Sequence, residues 1–404
     1  MKRFFLFSTC GLVLLQGCSN VATAPVADPV SAASSTIRVA LYPYVPRPDQ
    51  FKTAISAAWQ AREGGVELKF VDWDCYSADP PADLDVFVFD AIFFDDFHAK
   101  GFLEGIALDE VEDPADILPY ALEGSQIDNE LYGIPQLGCG SVLFYRQGDR
   151  QLAEATTLDE VAQAIGECTY SGVKPPPNTG LMVDLSGGTT DACLYLEAVE
   201  DIYGQYTAAP PLPPQAGKID RWAIQNLQRL LRMASVEQAR YSGEPYQRAA
   251  WFGQGLGRAT IGYTESMSAM GEKGRETVAF KLMPLADRSD VSLFYSDIIG
   301  INATVTNRGK RALALKLANL MASTRVMIDS IGPTPGHEDP QYLMPVRRSV
   351  FEELEKTFPL YGKMYRMVTE GHPGLFRIGP DSRDWLAATK SQIRDEIFAA
   401  PSCQ

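Results

Sequence analysis

The run Asp85-Val86-Phe87-Val88-Phe89, which ends at Asp90, constrains this chain more tightly than any other segment. Apolar residues without polar alternation belong to a strand buried on both faces, as in a sheet covered by helices on either side. The neighbouring segments agree. Residues 37–45 read as an apolar strand, 49–60 as a helix, and Val66, Leu68 and Phe70 as a second strand with polar residues between them. Residues 91–100 read as the next helix. This alternation predicts an α/β fold built on a mostly parallel sheet.

The second half keeps the rhythm less regularly. Ile219, Trp222, Ala223, Leu227, Leu230 and Leu231 fall on one stripe of an amphipathic helix. Residues 258–263, 277–283 and 293–302 read as strands, and 310–322, 349–368 and 383–398 as helices. The proline-rich stretches 174–178 and 209–214 read as loops inside the body.

The length of 404 residues is enough for two or three domain-sized units. A net charge of −15 argues against nucleic acid as a partner and suits a cationic ligand. At the N-terminus, Lys2 and Arg3 precede an apolar run over 4–15 that is too short to span a bilayer comfortably, the pattern of a signal peptide. Leu15-Gln16-Gly17-Cys18 resembles a bacterial lipobox, which would place an acyl chain on Cys18. Ordinary cleavage near 22–24 is the alternative. Residues 1–17 are thus read as signal and 18–35 as a lipidated tether of at most about 60 Å. The expected location is periplasmic or anchored at the outer membrane, with free secretion as the alternative. Membrane contact is expected only through that lipid.

With Cys10 and Cys18 set aside, Cys75, Cys139, Cys168, Cys193 and Cys403 form an odd set for an oxidising compartment, so a free thiol is expected. No CxxC occurs, and neither a zinc site nor a thioredoxin motif is supported. A P-loop is absent, and the three histidines, His98, His337 and His372, are widely spread. Acid–base chemistry therefore falls first to carboxylates. Cys139 lies in Gln136-Leu137-Gly138-Cys139-Gly140-Ser141, where flanking glycines let the backbone approach a ligand. Glu265 follows the strand-like Ile261-Gly262-Tyr263, a position that ordinarily gives a solvated helix start. Asp90 and Asp297 end apolar strands and either point to a cleft or cap the next helix. Tyr42, Tyr44, Trp73, Tyr76, Tyr263 and Tyr295 sit on the same strand ends, and such rings beside carboxylates suit a flat cationic heterocycle.

The passage from Leu131-Tyr132-Gly133-Ile134-Pro135 to Val142-Leu143-Phe144-Tyr145-Arg146 resembles the first crossover of type II periplasmic solute-binding proteins. That likeness implies two discontinuous lobes around a central cleft. The first would hold residues 36–135 and 284–335, the second 136–283 and 336–404, with a second exit near 335–345. Seven segments taken together resemble thiaminase I, the thiamine pyridinylase family. They are Ala40-Leu41-Tyr42-Pro43-Tyr44-Val45-Pro46, Asp72-Trp73-Asp74-Cys75-Tyr76, residues 85–93, residues 132–146, Asp184-Leu185-Ser186-Gly187-Gly188-Thr189-Thr190, residues 262–267 and residues 293–298.

The resemblance runs from about residue 37 to 395 and implies the two-lobed fold. It also implies Cys139 as nucleophile and Glu265 as acid–base, with Tyr42, Tyr44, Tyr76, Asp90, Tyr263, Tyr295 and Asp297 in the substrate pocket. Asp116 is the candidate for a further pocket acid. The implied activity is displacement of the thiazole of thiamine by an amine, pyridine or thiol through a covalent cysteine adduct, with no cofactor and no metal, in a monomer. A thiamine- or pyrimidine-binding lipoprotein of a transport system is the rival reading.

Overall fold

The computed structural model describes residues 36–203, 218–288, 293–371, 374–375 and 378–399. The signal segment, Cys18, the tether, His372 and Cys403 lie outside the described residues. Among the described residues no helix is long and apolar enough to cross a membrane.

Two sheets carry the molecule. The first contains β1 (Thr36–Ala40), β2 (Glu67–Phe70), β3 (Val86–Asp90) and β4 (Ile134–Cys139). The second contains β5 (Val142–Arg146), β6 (Pro177–Met182), β7 (Gly257–Gly262) and β8 (Val278–Leu282). β9 (Leu293–Ile301), β10 (Met344–Pro345) and β11 (Gly374–Leu375) return to the first sheet. Its order is β10-β4-β9-β3-β1-β2, with β11 beside β9, and the second sheet runs β8-β5-β7-β6. The apolar run ending at Asp90 behaves as expected, since every residue of β3 is buried.

The sheets are mixed rather than mostly parallel. β1 is parallel to β2 and β3, but β9 is antiparallel to both β3 and β4. The chain leaves the first sheet at the end of β4 and re-enters from the other lobe, so β9 starts where its neighbours finish. The β9–β4 ladder slips register between Asp297 and Ile298, because Asp297 pairs with Leu137 while Ile298 pairs with Pro135. Gln136 is the extra residue of this β-bulge.

The helices are α1 (Pro48–Glu63), α2 (Thr189–Tyr203), α3 (Arg221–Met233), α4 (Arg311–Ala322), α5 (Thr324–Ile331), α6 (Arg348–Glu355), α7 (Leu360–Glu370) and α8 (Ser382–Phe398), joined by shorter turns. The single helix expected over 349–368 is two, α6 and α7, separated at Pro359. Its ring cannot continue a helix, and it restricts the backbone of Phe358 before it. The second exit also comes later than expected. β10 pairs with β4 of the first sheet, α6 packs on α5 and α7, and Tyr342, Val350, Phe351, Tyr361 and Met364 are buried. Of the described elements after β10, α8 packs on α2 and α3 of the second lobe.

Candidate active site

The last residue of β4 is Cys139, which pairs across the ladder with Tyr295 of β9. Asp90 closes β3 and pairs with Asp297 on the other side of β9. One strand thus places a phenol and a carboxylate beside a thiol and a second carboxylate. From the second sheet, β7 runs into a 3₁₀ turn, Thr264–Ala269, that carries Glu265 in its first turn. These groups line one cavity of about 620 Å³, together with Tyr42, Tyr44, Asp74, Tyr76, Tyr246 and Tyr263. The candidates Cys139, Glu265, Tyr42, Tyr44, Tyr76, Asp90, Tyr263, Tyr295 and Asp297 all fall on its wall.

Glu265 is not the solvated helix start its position suggested. It is 9 % exposed, and burial pushes its carboxyl up to about 7. The Cys139 thiol is held well above its ordinary value, chiefly by burial and then by the nearby charges of Glu265 and Asp297, while a hydrogen bond with Tyr295 opposes the rise. Burial also raises Asp297, with the charges of Asp90 and Glu265 adding to it. Burial thus biases the thiol and the neighbouring carboxyls toward their uncharged forms.

Asp90 does both things its sequence position allowed. Its Oδ1 accepts the Ile92 N–H at 2.9 Å, capping a short 3₁₀ turn, and its Oδ2 accepts the Tyr76 hydroxyl. The hydroxyls of Tyr76 and Tyr42 lie 3.2 Å apart, and Tyr44 donates to Asp74 at 3.1 Å. The Tyr42 and Tyr44 rings meet edge to face at 5.4 Å. On the far wall, Tyr295 donates to Tyr263 at 3.3 Å. Rings and acids alternating around a cleft offer a flat cation both faces and counter-charge.

Two candidates fall elsewhere. Trp73 packs on Phe87 and Phe97 and directs its indole N–H to the Ala78 and Asp79 carbonyls, because the apolar floor under β3 needs a large ring there. Asp116 is not on the cavity wall. It accepts the Ser349 N–H at 2.9 Å and the Ser349 hydroxyl at 2.6 Å, holding the start of α6.

Sequence reasoning missed Tyr246 and Cys193. Tyr246 stands in the left-handed region at φ 58° as the helix Gln247–Gly253 begins, and it lines the cavity. A bulky residue held there is a strained position of the kind that gathers at functional sites, but the sequence Glu244-Pro245-Tyr246 carries no sign of it. Cys193 also lines the cavity, in hydrogen-bond contact with Tyr263 and Tyr295. Cys75, Cys139, Cys168 and Cys193 are all free thiols. Among the described residues, no group of three or more His, Cys, Asp or Glu side chains is placed to hold a metal ion.

Gly138 explains part of the Cys139 environment. A Cβ there would stand 2.1 Å from the Tyr120 hydroxyl and 3.0 Å from Met344 Cε. Gly138→Ala should therefore displace the end of β4, costing about 1–3 kcal/mol of stability and at least tenfold in turnover. Adding Tyr120→Phe removes the clashing oxygen and should restore most of both. Thermal melts and turnover of the single and double variants check this, and no recovery in the double would refute the contact.

The buried acids also set a pH dependence of stability. Burial raises Glu265 to about 7, Glu197 and Asp191 to about 8, and Glu200 to about 9. All lie above their ordinary carboxyl values, so the folded protein holds protons that the unfolded chain releases. The stabilisation is fully present below the unfolded values and is lost as pH rises through the folded ones. The melting temperature should peak near pH 5 and fall by roughly 5–10 °C by pH 9. A flat or rising profile would contradict this.

Two α/β lobes with a deep cleft define a protein of the solute-binding architecture, here with a thiol and a carboxyl inside the cleft. The maltose-bound T. maritima MalE3 shares that fold at 15% identity, with a TM-score of 0.61 over 90% of this chain and 98% of that one. Closer likeness narrows the class. A Thiaminase-1 domain model matches residues 140–286. Thiaminase-1 of Paenibacillus thiaminolyticus is 40% identical over 392 residues, covering 96% of this chain and 94% of the relative. The structure of Clostridium botulinum thiaminase I in complex with thiamin is 39% identical, with a TM-score of 0.84 over 90% of this chain and 99% of that one. The chain belongs to the thiaminase I family.

Proposed function

We propose that this protein degrades thiamine by base exchange, transferring the aminopyrimidine methylene from the thiazole to an amine, pyridine or thiol. One observation carries the reading: a thiol and a carboxyl poised near 7 share the cavity wall with paired acids and tyrosines. Capture of a ligand does not require a nucleophile with a proton carrier beside it.

Thiamine joins an aminopyrimidine to a cationic thiazolium through a methylene that resists direct displacement. In the proposed route, Glu265 takes the Cys139 proton and the sulfur adds to the pyrimidine ring, forming a C–S bond. Electrons returning from the ring break the methylene–nitrogen bond, and the thiazole leaves neutral with the bonding pair. The acceptor then adds at the methylene, the sulfur departs, and Glu265 returns the proton.

The high thiol value opposes the first step in the empty site. A thiazolium cation among Asp90, Asp297 and Glu265 reverses this, since its positive charge favours both thiolate and carboxylates. The tyrosines would stack on the two heterocycles, and Asp90 or Asp297 would hold the aminopyrimidine.

Incubating the purified protein with thiamine and a panel of amines, pyridines and thiols, and following products by mass, tests the reading. Base-exchange products and free thiazole are expected. Thiamine bound but returned intact would leave a carrier instead. Lipidation at Cys18 and export remain part of the proposal, checked by the mass of the mature N-terminal peptide.

A further inference from the structure

Every residue of α2 from Asp191 to Asp201 is buried, and two of its acids face the places where the chain changes sheets. The outgoing crossing is Gly140-Ser141, between the end of β4 and the start of β5. Glu197, 6 % exposed, accepts the Ser141 hydroxyl at 3.0 Å and is also hydrogen-bonded to the Ser141 backbone. The returning crossing follows β8. One helical turn beyond Glu197, Asp201 accepts the Leu285 N–H of that crossing at 2.7 Å. The two crossings also touch, since Met283 N–H donates to the Ser141 carbonyl at 3.0 Å. Asn226 of α3 donates its Nδ2 amide to the Leu285 carbonyl at 2.7 Å.

Cys139 ends a strand of the first sheet, whereas Glu265 hangs from the second. Their separation is therefore set where the chain passes from one sheet to the other. We propose that Glu197 and Asp201 are positioning residues that clamp both crossings to α2 and so fix the Cys139 sulfur against Glu265. Neither acid touches the reacting atoms. Buried in low dielectric, each acts as a hydrogen-bond acceptor, and a neutral amide of the same shape can take over that role. An apolar side chain cannot, and it leaves buried N–H and O–H donors unsatisfied.

The kinetic half of the test rests on the thiaminase reading; a second half does not. Glu197→Ala should lower kcat for thiamine about 10- to 100-fold with KM within about threefold, as expected when a nucleophile is misplaced without loss of the binding wall. Glu197→Gln should stay within about threefold of wild type, and Asp201→Ala and Asp201→Asn should divide in the same way. Independently of thiamine, alkylation of Cys139 by iodoacetamide, read from the mass of its peptide, should change more than about threefold in Glu197→Ala and hardly at all in Glu197→Gln.

If Glu197→Ala does not fold, Ser141→Ala removes one of the two donors and should lower kcat about fivefold. Unchanged kcat and alkylation in the alanine variants would overturn the clamp, as would a glutamine variant as impaired as the alanine one. Absence of thiamine cleavage by wild type would remove the proposed function while the alkylation comparison still decided the clamp.

Discussion

Cys139→Ser should abolish thiamine turnover, with a fall of at least about 10⁴-fold, while thiamine still binds. The hydroxyl keeps nearly the same shape and hydrogen bond to Tyr295, but it is a far poorer nucleophile and a poorer leaving group for the second half of the exchange. Equilibrium binding should be retained because the tyrosines and the acids of the cleft are untouched. Mass spectrometry of wild type quenched during turnover should show an aminopyrimidine adduct on the Cys139 peptide, absent from the serine variant. Full activity in Cys139→Ser would remove the sulfur from the reaction.

Glu265→Gln should lose about 10²–10⁴-fold in the chemical step, the ordinary worth of a general acid–base. The amide fits the same buried space beside Cys139, so KM should change little. The pH profile separates this role from a structural one. A base acts when ionised, so kcat/KM in wild type should rise with pH through about 7, where burial holds the Glu265 carboxyl. That limb should vanish in the glutamine variant. A wild-type rate, or an unchanged acid limb, would take Glu265 out of the mechanism.

Much of this arrangement was legible in the chain. The apolar run of β3 declared its burial, and the strand ends at Asp90 and Cys139 lie where an open α/β sheet collects its ligands. Asp297, expected at a strand end, instead stands mid-strand in the antiparallel β9, level with the end of β3. Glu265 was legible only through the family pattern, because a glutamate after a strand gives no sign whether a second lobe will cover it. α2 was not legible at all. Its Asp191, Glu197, Glu200 and Asp201 are all buried, so the helix shows no polar face for periodicity to find. Tyr246 escaped because nothing in Glu244-Pro245-Tyr246 marks the left-handed backbone it adopts. That the segment after Met344 returns to the first sheet was not legible, because its apolar positions have no local signature of which sheet they join.

The bulge at Gln136 has a consequence for how the reactive group is aimed. Successive side chains of a strand point to opposite faces, so the residue count between a fixed point and a given position decides its phase. Ile134 anchors one end of β4 in the core, and Cys139 stands at the other. Removing Gln136 would straighten the ladder and advance that phase by one. The sulfur would then turn toward the side where Tyr120 crowds Gly138, leaving the cavity wall that Cys139 lines without its thiol.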